Sequence, residues 1–179
     1  KLTSDLVFYP ARMKGGREWY RFLTHGVLHA DFLHLFLNML TLYFFGPVVE
    51  QYILTSPEYV ILYVTAIPLA SLFDYFKNRN NYGYRSLGAS GAVSAIIFST
   101  IILDPWYQGI CLFGVLCLPN IVFGILYIVY SAYMAKRGGD NVGHYAHLWG
   151  GVYGFVFTAL MRPDLLTNFT ERLMNPSFG

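Results

Sequence analysis

Long uncharged stretches alternate with short charged ones along this chain of 179 residues. No Asp, Glu, Lys or Arg occurs in the 18 residues between Asp31 and Glu50, the 15 between Glu58 and Asp74, or the 18 between Arg85 and Asp104. The same is true of the 31 residues between Asp104 and Lys136 and the 21 between Asp140 and Arg162. A bilayer-crossing helix needs about 20 mostly apolar residues, so the pattern predicts five spans. They fall at 29–52, 57–76, 88–103, 119–135 and 143–161, within one domain that has a first loop over 1–28 and a tail over 162–179. Ser56-Pro57-Glu58 predicts a helix start, with an N-cap hydroxyl, a proline at the first helical position and an acid in the first turn. The 31-residue run is too long for one straight span at about 1.5 Å per residue. Pro119-Asn120 divides it and leaves 106–118 as a membrane-surface or re-entrant segment.

Composition narrows the class. Apolar residues make up 55% of the chain and charged residues 12%, about half the share of a typical soluble domain. So little charge cannot cover a water-facing surface. Two cysteines, Cys111 and Cys117, do not make a secreted disulfide scaffold. The apolar content excludes disorder, and a net charge of +2 leaves no nucleic-acid footprint. An all-α polytopic membrane protein remains, with lipid as its surroundings.

Polar groups inside spans are expensive and so invite a functional reading. His34 and Asn38 stand four apart and share a helix face. Gly88-Ala89-Ser90-Gly91 joins a charged loop to a helix of small residues, with Gly88, Ala92, Ala95 and Ser99 at helical spacing. Gly143-His144-Tyr145-Ala146-His147 opens the last span, where Gly150, Gly154 and Thr158 form a second small-residue stripe. Such stripes let helix backbones approach closely in lipid. Close approach could bring the Ser90 hydroxyl to the His147 imidazole, the pair needed for nucleophilic catalysis. His34, Asn38 and the Ser90 backbone N–H could then receive an oxyanion.

Each feature also has a plainer reading. A serine in a membrane helix usually bonds its own helix carbonyl, the default for Ser94 and Ser99. A G-x-S-G or G-x-x-x-G alone more often marks packing than chemistry. His29 and His144 read as structural. His25 and His29 have spacing that could ligate a metal, but no carboxylate or Cys lies at a matching position in a span.

Taken in order, the motifs resemble those of the rhomboid intramembrane serine proteases. The family's HxxxN is similar to His34-Leu-Phe-Leu-Asn38, its GxSG to Gly88-Ala89-Ser90-Gly91, and its AHxxG to Ala146-His147-Leu-Trp-Gly150, continued by Gly154. Its aromatic-Arg loop motif resembles Trp19-Tyr20-Arg21. The match runs from about residue 5 to 161. The resemblance implies a rhomboid-like bundle in which Ser90 is the nucleophile and His147 the general base. It implies oxyanion stabilisation by His34, Asn38 and Ser90, helix packing through Gly88, Gly91, Gly150 and Gly154, and a loop anchor at Arg21. Substrates would be single-span membrane proteins, cut in the membrane without metal or organic cofactor. The expected location is a bacterial inner membrane.

Three departures accompany the match. The first of the family's usual six helices is absent, so the chain starts inside the loop that follows it. Ser94 stands where an aromatic often packs on the histidine, so another group, such as a tyrosine, must hold His147. As the resemblance to a Ser–His dyad family implies, and so not counted among these departures, no acid in a span is expected to orient His147. Ten basic residues lie toward the Ser90 face and only Arg162 and Arg172 toward the other, which reverses the family's orientation under the positive-inside rule. Two alternatives stay open: an inactive rhomboid-like protein that binds membrane clients, and a metal transporter lined by His25, His29, His34, His144 and His147.

Overall fold

A computed structural model describes residues 2–107, 110–112, 116–137 and 143–176. In chain order these form α1 (Leu2–Leu6), α2 (Pro10–Met13), α3 (Arg21–Thr24), α4 (Phe32–Tyr52), α5 (Ser56–Asn78) and α6 (Ser90–Ile101). There follow β1 (Ile110–Leu112), β2 (Leu116–Leu118), α7 (Asn120–Arg137), α8 (His144–Met161) and α9 (Pro163–Met174). The all-α expectation holds apart from one small hairpin. Part of the last polar loop falls outside the described residues.

α4 and α5 are long and apolar enough to cross a bilayer. The other three predicted spans do not pass the same test of length and composition, and α6 has only 12 residues. The start of α5 is capped by Thr55, one residue earlier than expected: Glu58 Oε2 accepts from the Thr55 backbone N–H at 2.8 Å, completing a capping box. Ser56 and Pro57 are already in the first turn. Lys77 and Asn78, read as loop, extend α5.

The core is built on α6, which lies between α4, α5, α7 and α8. All of Gly91–Ile101 is buried except Ile97. Small residues set the spacing to α8. A methyl group added to Gly150 would lie 2.1 Å from the Gly91 carbonyl oxygen, and one added to Gly154 would lie 2.1 Å from that of Ala95. The two helices therefore meet backbone to backbone. Below this seam the Thr158 hydroxyl donates to Ser99 Oγ at 2.8 Å. Ser99 and Ser94 also donate to their own helix, to Ala95 O and Ser90 O, the default for membrane serines. Thr65 and Tyr153 link α5 to α8 at 2.7 Å. Such interhelical bonds are each worth about 0.5–2 kcal/mol in lipid.

Two segments depart from expectation. Within 106–118, read as a membrane-surface or re-entrant segment, the described residues include β1 and β2. The strands pair antiparallel, Ile110 with Leu118, Cys111 with Cys117 and Leu112 with Leu116. The tail after Met161 is largely the amphipathic helix α9, which buries Leu165 and Phe169 on the core. Arg172 of α9 pairs with Asp104, and Trp106 Nε1–H donates to Arg172 O at 2.8 Å. Arg162 donates to Ile53 O at the α4–α5 turn. These contacts tie the segment that follows α6, α9 and that turn together at the end of the bundle away from Ser90.

Candidate active site

Ser90 is the first residue of α6, and His147 lies in the first turn of α8. The seam of Gly91 and Gly150 holds the two helices close enough that His147 Nε2 and Ser90 Oγ are hydrogen-bonded at 2.7 Å. Both side chains are half-buried. Tyr127 of α7 faces His147: the ring centroids are 6.2 Å apart, and the Tyr127 hydroxyl bonds Ser94 Oγ at 2.6 Å. Ser94 thus takes the family's aromatic position and secures a tyrosine from another helix.

The side expected from the sequence to receive an oxyanion is formed by α4. Its N-cap is Asp31, whose carboxylate accepts from the His34 backbone N–H at 2.7 Å. The His34 ring packs on Gly88, where a methyl would come within 2.6 Å of Cε1. Gly88 has φ +113°, a backbone region L side chains rarely adopt, so glycine is required there twice over. Asn38 lies one turn further along α4. It is buried, and its Nδ2 has no hydrogen-bond partner. A buried amide donor without an acceptor costs about 1–3 kcal/mol unless something supplies one. The Ser90 N–H also lacks an intrahelical acceptor, as first-turn groups do.

The first loop supports this side. Arg21 is 1% exposed, so it does not lie at the loop surface. It donates to the backbone carbonyls of Val7 at 2.7 Å and Ser4 at 3.1 Å, and pairs with Glu18 at 2.6 Å. It anchors the loop to itself. His25 packs on Phe8 and bonds Ser71 of α5 at 3.2 Å. Burial pushes its imidazole down to about 4, so it is neutral. His29 lies edge-on to His34, with centroids 5.2 Å apart. His144 contacts His147 and Tyr130 in the same way, each at 6.0 Å. The five histidines are therefore spread over separate contacts. Among the described residues no three His, Cys, Asp or Glu side chains gather as a metal site would require.

One buried acid drew no reading from the sequence. Asp74, which bounds an uncharged run and lies near the end of the span predicted at 57–76, is 1% exposed inside the bundle. Its signal was present: Leu62, Ala66, Ala70, Asp74 and Asn78 repeat every four residues and form the buried face of α5.

The chain is similar to known proteins over most of its length. The Rhomboid domain profile matches residues 16–164. The chain is similar to "Putative rhomboid protease YdcA" of Bacillus subtilis, 27% identical over 80% of this chain and 67% of that protein. It is similar to "Rhomboid protease GlpG" of Haemophilus influenzae, 27% identical over 85% of this chain and 74% of that protein. "Rhomboid-like protein 11, chloroplastic" of Arabidopsis thaliana is also 27% identical, over 80% of this chain and 52% of its own length. With the profile covering most of its length, and with the serine and histidine hydrogen-bonded between two glycine-lined helices, this chain belongs to the rhomboid family of integral membrane proteins.

Proposed function

We propose that the chain is an intramembrane serine endopeptidase that cuts single-span membrane proteins with a Ser90–His147 dyad. The observation that carries this reading is the 2.7 Å hydrogen bond between His147 Nε2 and Ser90 Oγ. A hydroxyl so placed gives its proton to the imidazole as it attacks a peptide carbonyl. The carbonyl oxygen becomes an oxyanion, which the Ser90 N–H, Asn38 Nδ2 and His34 receive. His147 then passes the proton to the leaving amine nitrogen, and the acyl group remains on Ser90. Water, activated by the same histidine, releases it. No metal or organic cofactor is needed for these steps.

Depth supports an intramembrane cut. α6 has 12 residues and is about 18 Å long, against a hydrocarbon core of about 30 Å. With Ile101 near one surface, Ser90 lies well below the other. α7 and α8, of 18 residues each, reach about 27 Å and complete five crossings with α4, α5 and α6. A substrate helix must unwind there, because its peptide bonds are shielded by its own turns. The location in a bacterial inner membrane is part of this proposal, since organellar proteins of plants are also similar.

A serine-reactive fluorophosphonate probe tests the reading. Folded wild-type protein is expected to label at Ser90, and Ser90→Ala is expected not to. Equal labelling of the two would leave a rhomboid-like client binder as the better account.

A further inference from the structure

α5 and α8 form an apolar groove of about 240 Å³, lined by Leu69, Leu72, Phe73, Phe76 and Trp149. The four residues from α5 are spaced to share one helix face, and all five side chains are exposed. α5 is long enough to cross a bilayer and ends at Asn78, on the Ser90 side. The groove therefore lies in the leaflet of that side and runs about 10 Å along the helix. It ends in a cation. The Lys77 ammonium lies 4.0 Å from the centroid of the Tyr145 ring and donates to the Tyr145 hydroxyl at 2.6 Å. That ring packs on Phe73, with centroids 4.8 Å apart, and Phe73 lies 5.6 Å from Trp149. A tyrosine with its ring on apolar side chains and its hydroxyl on an ammonium marks the boundary between hydrocarbon and headgroups. Lysine has three donors, of which Tyr145 takes one. Among the described residues no carboxylate is ion-paired with Lys77, and Asp74, three residues earlier, belongs to the buried face of α5. Lys14 of the first loop donates to Asn80, three residues past Lys77, at 2.9 Å, which brings a second positive charge to the same end.

We propose that this groove binds one anionic phospholipid. An acyl chain lies along Leu69, Leu72, Phe73, Phe76 and Trp149, and the phosphate is held by Lys77 and by the Tyr145 hydroxyl, which keeps its own proton to donate. Charge decides the occupant. A helix or a second copy of this chain laid along the groove would need an acid at the level of Lys77, whereas an anionic lipid carries its phosphate at that depth. A zwitterionic headgroup also has a phosphate, but it brings an ammonium to an end that already holds Lys77 and Lys14. None of the residues assigned to catalysis takes part, so this binding stands or falls apart from the cleavage reaction.

Quenching of Trp149 fluorescence by brominated lipid tests the site. The protein is reconstituted into phosphatidylcholine vesicles that contain a small share of lipid brominated on its acyl chains, either phosphatidylglycerol or phosphatidylcholine. The Trp149 signal is the difference between wild type and Trp149→Phe. Brominated phosphatidylglycerol is expected to quench it about fivefold more per mole than brominated phosphatidylcholine, the preference that one lysine near the headgroups confers. Lys77→Gln changes an exposed side chain and is expected to bring the two lipids to the same level. Leu72→Phe fills the groove with Lys77 in place, and is expected to weaken the preference as well. Equal quenching of the wild type by both lipids would reduce the groove to ordinary lipid-facing surface and overturn the proposal. Quenching by neither would overturn it in favour of a protein occupant, a second copy or another helix. A preference that survives Lys77→Gln would also overturn it, because the charge of the whole basic face would then account for the effect.

Discussion

α4 and α6 are both apolar helices, yet they occupy opposite environments. α6 buries nearly every residue. α4 exposes Phe32, Leu33, Phe36, Leu37, Tyr43 and Phe44, and buries Asn38, Gly46 and Val49. In water, burial follows hydrophobicity. In lipid the surroundings are as apolar as the core, so size and polarity decide which side chains turn inward. The inward face of α4 is an amide, a glycine and one valine, with Gly46 against the Tyr59 hydroxyl. The face that α6 turns to α8 holds Gly91, Ala95 and Ser99. Large apolar residues on α4 face outward because nothing in the bundle attracts them more than lipid does.

Four substitutions probe this contrast, from the largest expected effect to the smallest. Gly150→Ala puts a methyl 2.1 Å from the Gly91 carbonyl oxygen, and neither backbone can yield. A loss of about 3 kcal/mol or more is expected, read as a collapse of the thermal unfolding midpoint in detergent with loss of Ser90 labelling. Asn38→Ala acts through the inward face of α4. Turnover should fall about 10²–10³-fold while the midpoint is held, since one oxyanion donor is lost and no packing with it. Turnover at the wild-type level would make Asn38 a packing residue. Tyr127→Phe removes the hydroxyl that bonds Ser94 and keeps the ring beside His147. It should lower stability by about 0.5–1.5 kcal/mol, seen as a midpoint a few degrees lower. Leu40→Ala trims an outward residue of α4 and should stay within about 0.5 kcal/mol of wild type. A Leu40→Ala loss as large as that of Gly150→Ala would break the contrast.

Much of this arrangement could be read from the chain because lipid makes its rules visible. Charge-free runs located α4, α5, α7 and α8 to within a few residues, and the i+4 glycine stripes indicated which helices touch. The hairpin was hidden because three-residue strands carry too little periodicity to separate from any other short apolar run. α9 was missed although its start is marked: Pro163 at the first helical position and Asp164 in the first turn. Its mixed polarity was read as a tail, because a surface helix needs only one apolar side. At the site, spacing alone could pair His34 with Asn38. Pairing Ser90 with His147 needed two stripes on different helices. Asp74 drew no reading because charge served only to bound the uncharged runs, and that rule is silent about a carboxylate buried inside the bundle. Tyr127 had no signal of its own beyond the demand created by Ser94.

The backbone contact between α6 and α8 has a consequence for how such a protein can change over generations. Elsewhere in a core, one side chain can shrink while a neighbour grows, and variants drift through many equivalent packings. At Gly91, Gly150, Gly154 and Ala95 the facing surfaces are peptide groups, which have no rotamers to exchange. Variation is left to the lipid-facing helices and the loops, where a replacement meets a fluid neighbour. The hydrogen-bonded Ser90 and His147 are carried on the part of the molecule with the least room to evolve.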